Sequence, residues 1–113
     1  MLIGEGDMDG GYWVLDSDKN LIQVDSVEEW ARFFESGDRI MKQETIGESQ
    51  VSTVFLGIDH RFGSDPPLLF ETMVFGGKCD GHQERCSTWK QAEEMHERVC
   101  GIVRDTDAQR RTA

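Results

Sequence analysis

VSTVFLGIDHRFGSDPPLLFETMVFGG, residues 51–77, is the stretch whose reading decides the fold. Val51, Val54, Phe55, Leu56 and Ile58 form a nearly continuous apolar run, the pattern of a central strand covered on both faces. After Pro66-Pro67, alternation puts Leu68, Phe70, Thr72 and Val74 on one face and Leu69, Glu71, Met73 and Phe75 on the other. Residues 49–58 and 68–75 therefore read as two paired strands. The bend between them carries Asp59, His60, Arg61, Phe62 and Asp65, with Gly63 free to take a positive φ and the prolines fixing theirs.

Working outward, Tyr12-Trp13-Val14-Leu15 and Leu21-Ile22-Gln23-Val24 flank a polar turn and read as a hairpin. Asp16, Asp18 and Asn20 match the first ligand positions of a calcium loop. Leu21 stands where that loop needs Gly and Val27 where it needs Glu, so a plain turn is expected. Ser26-Val27-Glu28-Glu29 is a capping box that opens a helix with Val27, Trp30, Ala31 and Phe34 as its stripe and Gly37 as its stop. Residues 39–46 form a further strand turned by Gly47, and residues 83–86 a short edge strand. Thr88-Trp89-Lys90-Gln91 is a second capping box, and Trp89, Ala92, Met95, His96, Val99, Cys100 and Val103 give a second stripe ending near Arg104. The expected architecture is α+β: an antiparallel sheet of about five to six strands with two helices packed on one face. Residues 11–104 make one domain, with a flexible acidic segment at 1–10 and a flexible tail at 105–113.

The chain carries a net charge of −10. Its first 38 residues hold ten acids (Glu5, Asp7, Asp9, Asp16, Asp18, Asp25, Glu28, Glu29, Glu35 and Asp38) against Lys19 and Arg32. Such a field repels nucleic acid and anionic membranes and favours a basic protein as partner. No run approaches the ~20 apolar residues of a membrane span, and the opening residues lack the pattern of a secretory signal, so a cytoplasmic location with reduced cysteines is expected.

Four polar residues are candidates for chemistry. Asp59-His60 follows a strand directly, Glu71 interrupts a strand face that is otherwise apolar, and His96 lies in an apolar helix stripe. A buried carboxylate and a buried imidazole each need a partner, so Glu71 and His96 are expected to satisfy each other. Convergence with Asp59 and His60 would make an acid/base or metal pocket. Cys79, His82 and Cys86 form C-x2-H-x3-C, with His96 or Cys100 as a possible fourth donor, but this spacing fits no standard paired zinc knuckle. No P-loop, dinucleotide fingerprint, zinc-protease motif or nucleophile elbow occurs, which argues against an enzyme and implies no cofactor.

At VSTVFLGIDHRFG, PPLLFETMVFGG and ERCSTWKQAEEMH the chain resembles a family of short uncharacterised proteins encoded by bacteriophages and by bacterial genomes carrying prophage. The likeness covers roughly residues 38–103, with Thr53, Asp59, His60, Glu71, Glu84 and His96 at its polar positions. It implies a phage or prophage origin, hence the host cytoplasm, and lends no activity or cofactor. Cys79, His82 and Cys86 are not among its matching polar positions, and the acidic N-terminal third lies outside it. The resulting expectation is a non-enzymatic accessory protein that binds another protein, a host defence complex in the sharpest version. Its contact surface would be residues 59–67, with Asp59, His60, Arg61, Phe62 and Asp65, or the acidic N-terminal face. The alternative is a small enzyme or metal-binding domain using Asp59, His60, Glu71 and His96.

Overall fold

The structure, a computed structural model, describes residues 12–35, 39–58 and 66–112, with side chains through residue 108. Among the described residues six strands and two helices follow in order: β1 (Tyr12–Leu15), β2 (Leu21–Val24), α1 (Val27–Glu35), β3 (Ile40–Ile46), β4 (Ser49–Phe55), β5 (Phe70–Phe75), β6 (Gln83–Cys86) and α2 (Trp89–Thr112). The fold is α+β, and every strand pair among the described residues is antiparallel. Its strands divide between two sheets: the β1–β2 hairpin and a four-stranded meander in the order β3-β4-β5-β6.

The two sheets differ in burial. β1 and β2, four residues each, are joined by a polar turn, and Asp16 closes that turn by accepting from the Asp18 and Asn20 amides at 2.8 and 2.9 Å. This is a plain turn stabilised by an Asp side chain. The longer β4 and β5 pair over six residues, with Val51 opposite Val74, Thr53 opposite Thr72 and Phe55 opposite Phe70. All six of these side chains point to one face, where α2 lays down Ala92, Met95, Val99, Cys100 and Val103. That layer is the core.

Helix α1 begins where its capping box predicts, with Ser26 Oγ accepting from the Glu29 amide at 3.0 Å. It packs on the hairpin and buries no residue completely. Val27 is exposed, and the stripe turns toward Trp30, Phe33 and Phe34. These rings continue the core outward in an aromatic chain. Tyr12 meets Trp30, Trp30 meets Phe34, Phe33 and Phe34 meet Phe55, Phe55 meets Phe70, and Phe70 meets Trp89 edge-on. The hairpin is also stitched to the sheet by the Trp13 amide, which donates to the Gly57 carbonyl at 2.8 Å, and by a bridge between Tyr12 and Ile58.

Gly57 is needed at that junction. Its φ is +73°, and a Cβ there would stand 2.6 Å from Trp30 Nε1 and 2.8 Å from Phe34. The Trp30 ring nitrogen is buried and has no hydrogen-bond partner among the described residues. At the far end of the sheet Gly77, φ +73°, would push a Cβ into Ser49 Oγ.

Helix α2 opens on the reciprocal cap: Thr88 Oγ1 accepts from the Gln91 amide at 3.1 Å, and Gln91 Oε1 accepts from the Thr88 amide at 3.2 Å. It runs through Thr112, eight residues past the end expected from its apolar stripe. No Gly or Pro follows Gly101, and Thr106 back-bonds to the Ile102 carbonyl at 2.8 Å, so nothing stops the ladder when the stripe stops. The flexible segment expected at 1–10 lies outside the described residues. No helix among the described residues is long and apolar enough to cross a membrane.

Candidate functional site

Asp59, His60, Arg61, Phe62 and Asp65, the expected contact loop, lie outside the described residues. Glu71 and His96 are described, and they do not meet. Alternation along β5 sends Phe70, Thr72 and Val74 toward α2 and Glu71 to the opposite face, where it accepts from Arg85 Nε at 3.1 Å and from Gln83 Nε2. The expectation that Glu71 and His96 satisfy each other is thus corrected. The alternation holds over Phe70–Phe75 but not before it, where Leu69, expected on the face of Glu71, is 0% exposed and part of the core; the face carrying Glu71, Met73 and Phe75 is not the core face, and Phe75 is 49% exposed. A pocket that required all four of Asp59, His60, Glu71 and His96 is not formed.

His96 is completely buried and has other partners. Its Nδ1 lies 2.6 Å from Thr53 Oγ1, which lies 2.5 Å from Thr72 Oγ1, and both threonines are buried. Its Nε2 lies 2.9 Å from Glu44 Oε1 on the edge strand β3. One helical turn on, Cys100 Sγ donates to the same Glu44 oxygen at 3.5 Å, and Arg104 reaches Glu44 Oε2 at 3.4 Å. In sequence this is a cross-strand Thr pair, a His, Cys, Arg ladder at i, i+4, i+8 on one helix face, and a carboxylate on the neighbouring strand.

Each polar group in this line is satisfied, as burial demands. The hydrogen bond from His96 holds the Glu44 carboxyl below its ordinary value against the opposing effect of burial, and Cys100 and Lys42 add to it. Burial pushes the Cys100 thiol up to about 11, and the Glu44 charge works the same way. The order hydroxyl, imidazole, carboxylate is that of an activated nucleophile. Thr53, however, is 0% exposed and its oxygen is shared between Thr72 and His96. No substrate carbonyl can approach it, so the line does not form a hydrolase triad.

Cys79, His82 and Cys86 do not gather. His82 Nε2 pairs with Glu84 at 2.8 Å, Cys86 Sγ faces the Thr88 carbonyl, and burial pushes the Cys86 thiol up to about 11. Among the described residues, the trio of possible metal donors close enough to share an ion is Glu44, His96 and Cys100. Sequence reasoning found His96 and named Cys100, yet passed over Glu44 and Thr72. A threonine directly opposite another inside an apolar strand pair was the signal that a buried polar line was present.

The second feature is electrostatic. On the β1–β2–α1 unit Asp18, Asp25, Glu28, Glu29 and Glu35 are exposed and Asp16 is half-buried. Among the described residues no basic side chain pairs with any of them. The unit's own Lys19 sits 5.3 Å over the Trp89 ring instead. On the other unit, four acids are matched across elements: Glu44 with His96 and Arg104, Glu71 with Arg85, Glu84 with His82 and Arg98, and Glu97 with Lys42. A cleft of about 410 Å³ opens between β6 and the start of α2, beside Leu68, Arg85, Gln91, Met95 and Arg98. Both of its arginines are already engaged by glutamates.

No family model, curated protein or solved structure matches the chain.

Proposed function

We propose that this chain is a non-enzymatic accessory protein, of the kind bacteriophages and prophages encode, that works by binding a basic protein through the acidic face of β1–β2–α1. The observation that carries this reading is the absence of a basic partner, among the described residues, for all six acids of that unit. Carboxylates that have no basic partner among the described residues project a field that steers a basic surface into contact and disfavours nucleic acid and anionic lipid. In the sharper form the partner belongs to a host defence complex, and the carboxylates occupy a groove that otherwise holds nucleic-acid phosphates.

The test is capture from bacterial lysate on the immobilised full chain, at low and at high salt. It is run with the wild type and with Asp18→Asn/Asp25→Asn/Glu28→Gln. A protein retained by the wild type, released by salt and not retained by the variant is the expected outcome. Absence of any salt-sensitive protein, or equal retention by both chains, removes the proposal.

A further inference from the structure

We propose that Glu44, His96 and Cys100 form a zinc site between the edge strand β3 and the middle of α2. Their donor atoms, one oxygen, one nitrogen and one sulfur, all lie within 4.8 Å of one another. Zinc takes these three donor types, at roughly 2.0–2.3 Å from the ion, so tetrahedral neighbours stand roughly 3.2–3.7 Å apart. Glu44 Oε1 is 2.9 Å from His96 Nε2 and 3.5 Å from Cys100 Sγ, so the first contact opens by a few tenths of an ångström for an ion and the second already has tetrahedral spacing, while the His96 and Cys100 donors, within 4.8 Å of each other, adjust by side-chain movement.

The frame around the three is fixed. His96 and Cys100 are one helical turn apart, both fully buried, and both aimed at β3. Metal-bound imidazoles characteristically hand their second ring N–H to a fixed acceptor, which sets tautomer and ring angle. His96 has such an acceptor in Thr53 Oγ1, itself held by Thr72. Glu44 divides its oxygens: Oε2 faces Arg104, leaving Oε1 for the ion. Its side chain is 31% exposed and gives the site its contact with solvent, where a water supplies the fourth ligand.

The protons balance. With His96 neutral and no metal bound, Nε2–H donates to Glu44, Cys100 S–H donates to Glu44, and the Thr72 and Thr53 hydroxyls point toward Nδ1. On binding, the ring proton moves to Nδ1, the two hydroxyls reverse to carry the chain of donors from Nδ1 to Thr53 to Thr72, and the Cys100 proton leaves to solvent. One carboxylate and one thiolate then neutralise the dication, the condition for holding an ion at a largely buried position.

The test uses the full chain, stripped by a chelator and titrated with cobalt(II), whose thiolate charge-transfer absorption reports a cysteine ligand. The expected result is one equivalent of cobalt giving that absorption and zinc displacing it. Cys100→Ser abolishes the band, while Cys79→Ser and Cys86→Ser leave it intact. Thr53→Val, which keeps all three ligands, retains the band but weakens zinc binding about 10- to 100-fold in chelator competition. No band, a band that survives Cys100→Ser, or one that needs Cys79 or Cys86 overturns the assignment. Should Cys100→Ser lose its helical circular dichroism, Glu44→Gln decides: weakening of zinc binding by at least about tenfold supports the site, and unchanged affinity rejects it.

Discussion

The β1–β2–α1 unit and the β3–β6 sheet with α2 are similar in kind, each a sheet with one helix on it, yet they treat charge and burial in opposite ways. The larger unit has a layer of completely buried side chains and couples Glu44, Glu71, Glu84 and Glu97 to bases on neighbouring elements. The smaller one has a helix with no fully buried residue and six acids without a basic partner among the described residues. The contrast separates what stabilises the molecule from the surface on which the proposed partner would dock. Burial of Phe55, Phe70, Val74 and Val99 holds the fold, while the carboxylates of the first unit contribute a field and little stability.

That comparison can be broken most forcefully at the ring joining the two units. Phe55 touches Phe33 and Phe34 on one side and Phe70 on the other and is 1% exposed. Phe55→Ala is expected to cost about 3–5 kcal/mol in denaturant unfolding. Val27→Ala on the smaller unit should stay within about 0.5 kcal/mol. Equal costs would mean that the smaller unit carries as much of the stability as the larger. Gly57→Ala follows at roughly 1–3 kcal/mol, since it combines a positive φ with contact against Trp30 and Phe34. Its signature is loss of near-ultraviolet aromatic dichroism from the Trp30 corner.

Acid sensitivity sharpens the picture with a smaller effect. Burial raises the Glu84 carboxyl, but the hydrogen bonds from His82 and Arg98 outweigh it and leave the group below its ordinary value. A carboxylate lowered by folding contributes stability that is complete above its unfolded value and lost as pH falls through the folded one. Glu84→Gln should therefore remove about 0.2–1 kcal/mol near neutral pH and flatten the decline of stability below the ordinary carboxylate range. Equal slopes for mutant and wild type in acid would show that the pairing with Arg98 adds nothing. Neutralising Asp18 and Asp25 is the smallest change, within about 0.5 kcal/mol at any pH between 5 and 8.

Much of the fold was legible because local signals and burial agreed. Both capping boxes mark real helix starts, and the alternation of β5 sorts its faces correctly, since a strand buried on one side has only one workable register. Periodicity could not say which face met a helix. Phe75, Met73 and Glu71 look no less core-like than Phe70, Thr72 and Val74, and the choice is made by α2, far away in sequence. The same blindness hid Glu44: an acid in a polar edge strand looks solvated until His96 and Cys100 are laid against it. The end of α2 was missed for a simpler reason, because the apolar stripe ends before the helix does.

The central claim is that exposed acids of β1–β2–α1, rather than net charge at large, recognise the partner. The direct measurement matches Asp18→Asn/Asp25→Asn/Glu28→Gln against Glu93→Gln/Glu94→Gln/Asp105→Asn, an equal loss of charge on exposed positions of α2. Each chain is assayed for salt-sensitive retention of the protein that the wild type captures. Loss of retention in the first variant and full retention in the second is the predicted result; equal retention by the two variants, whether kept or lost, contradicts it.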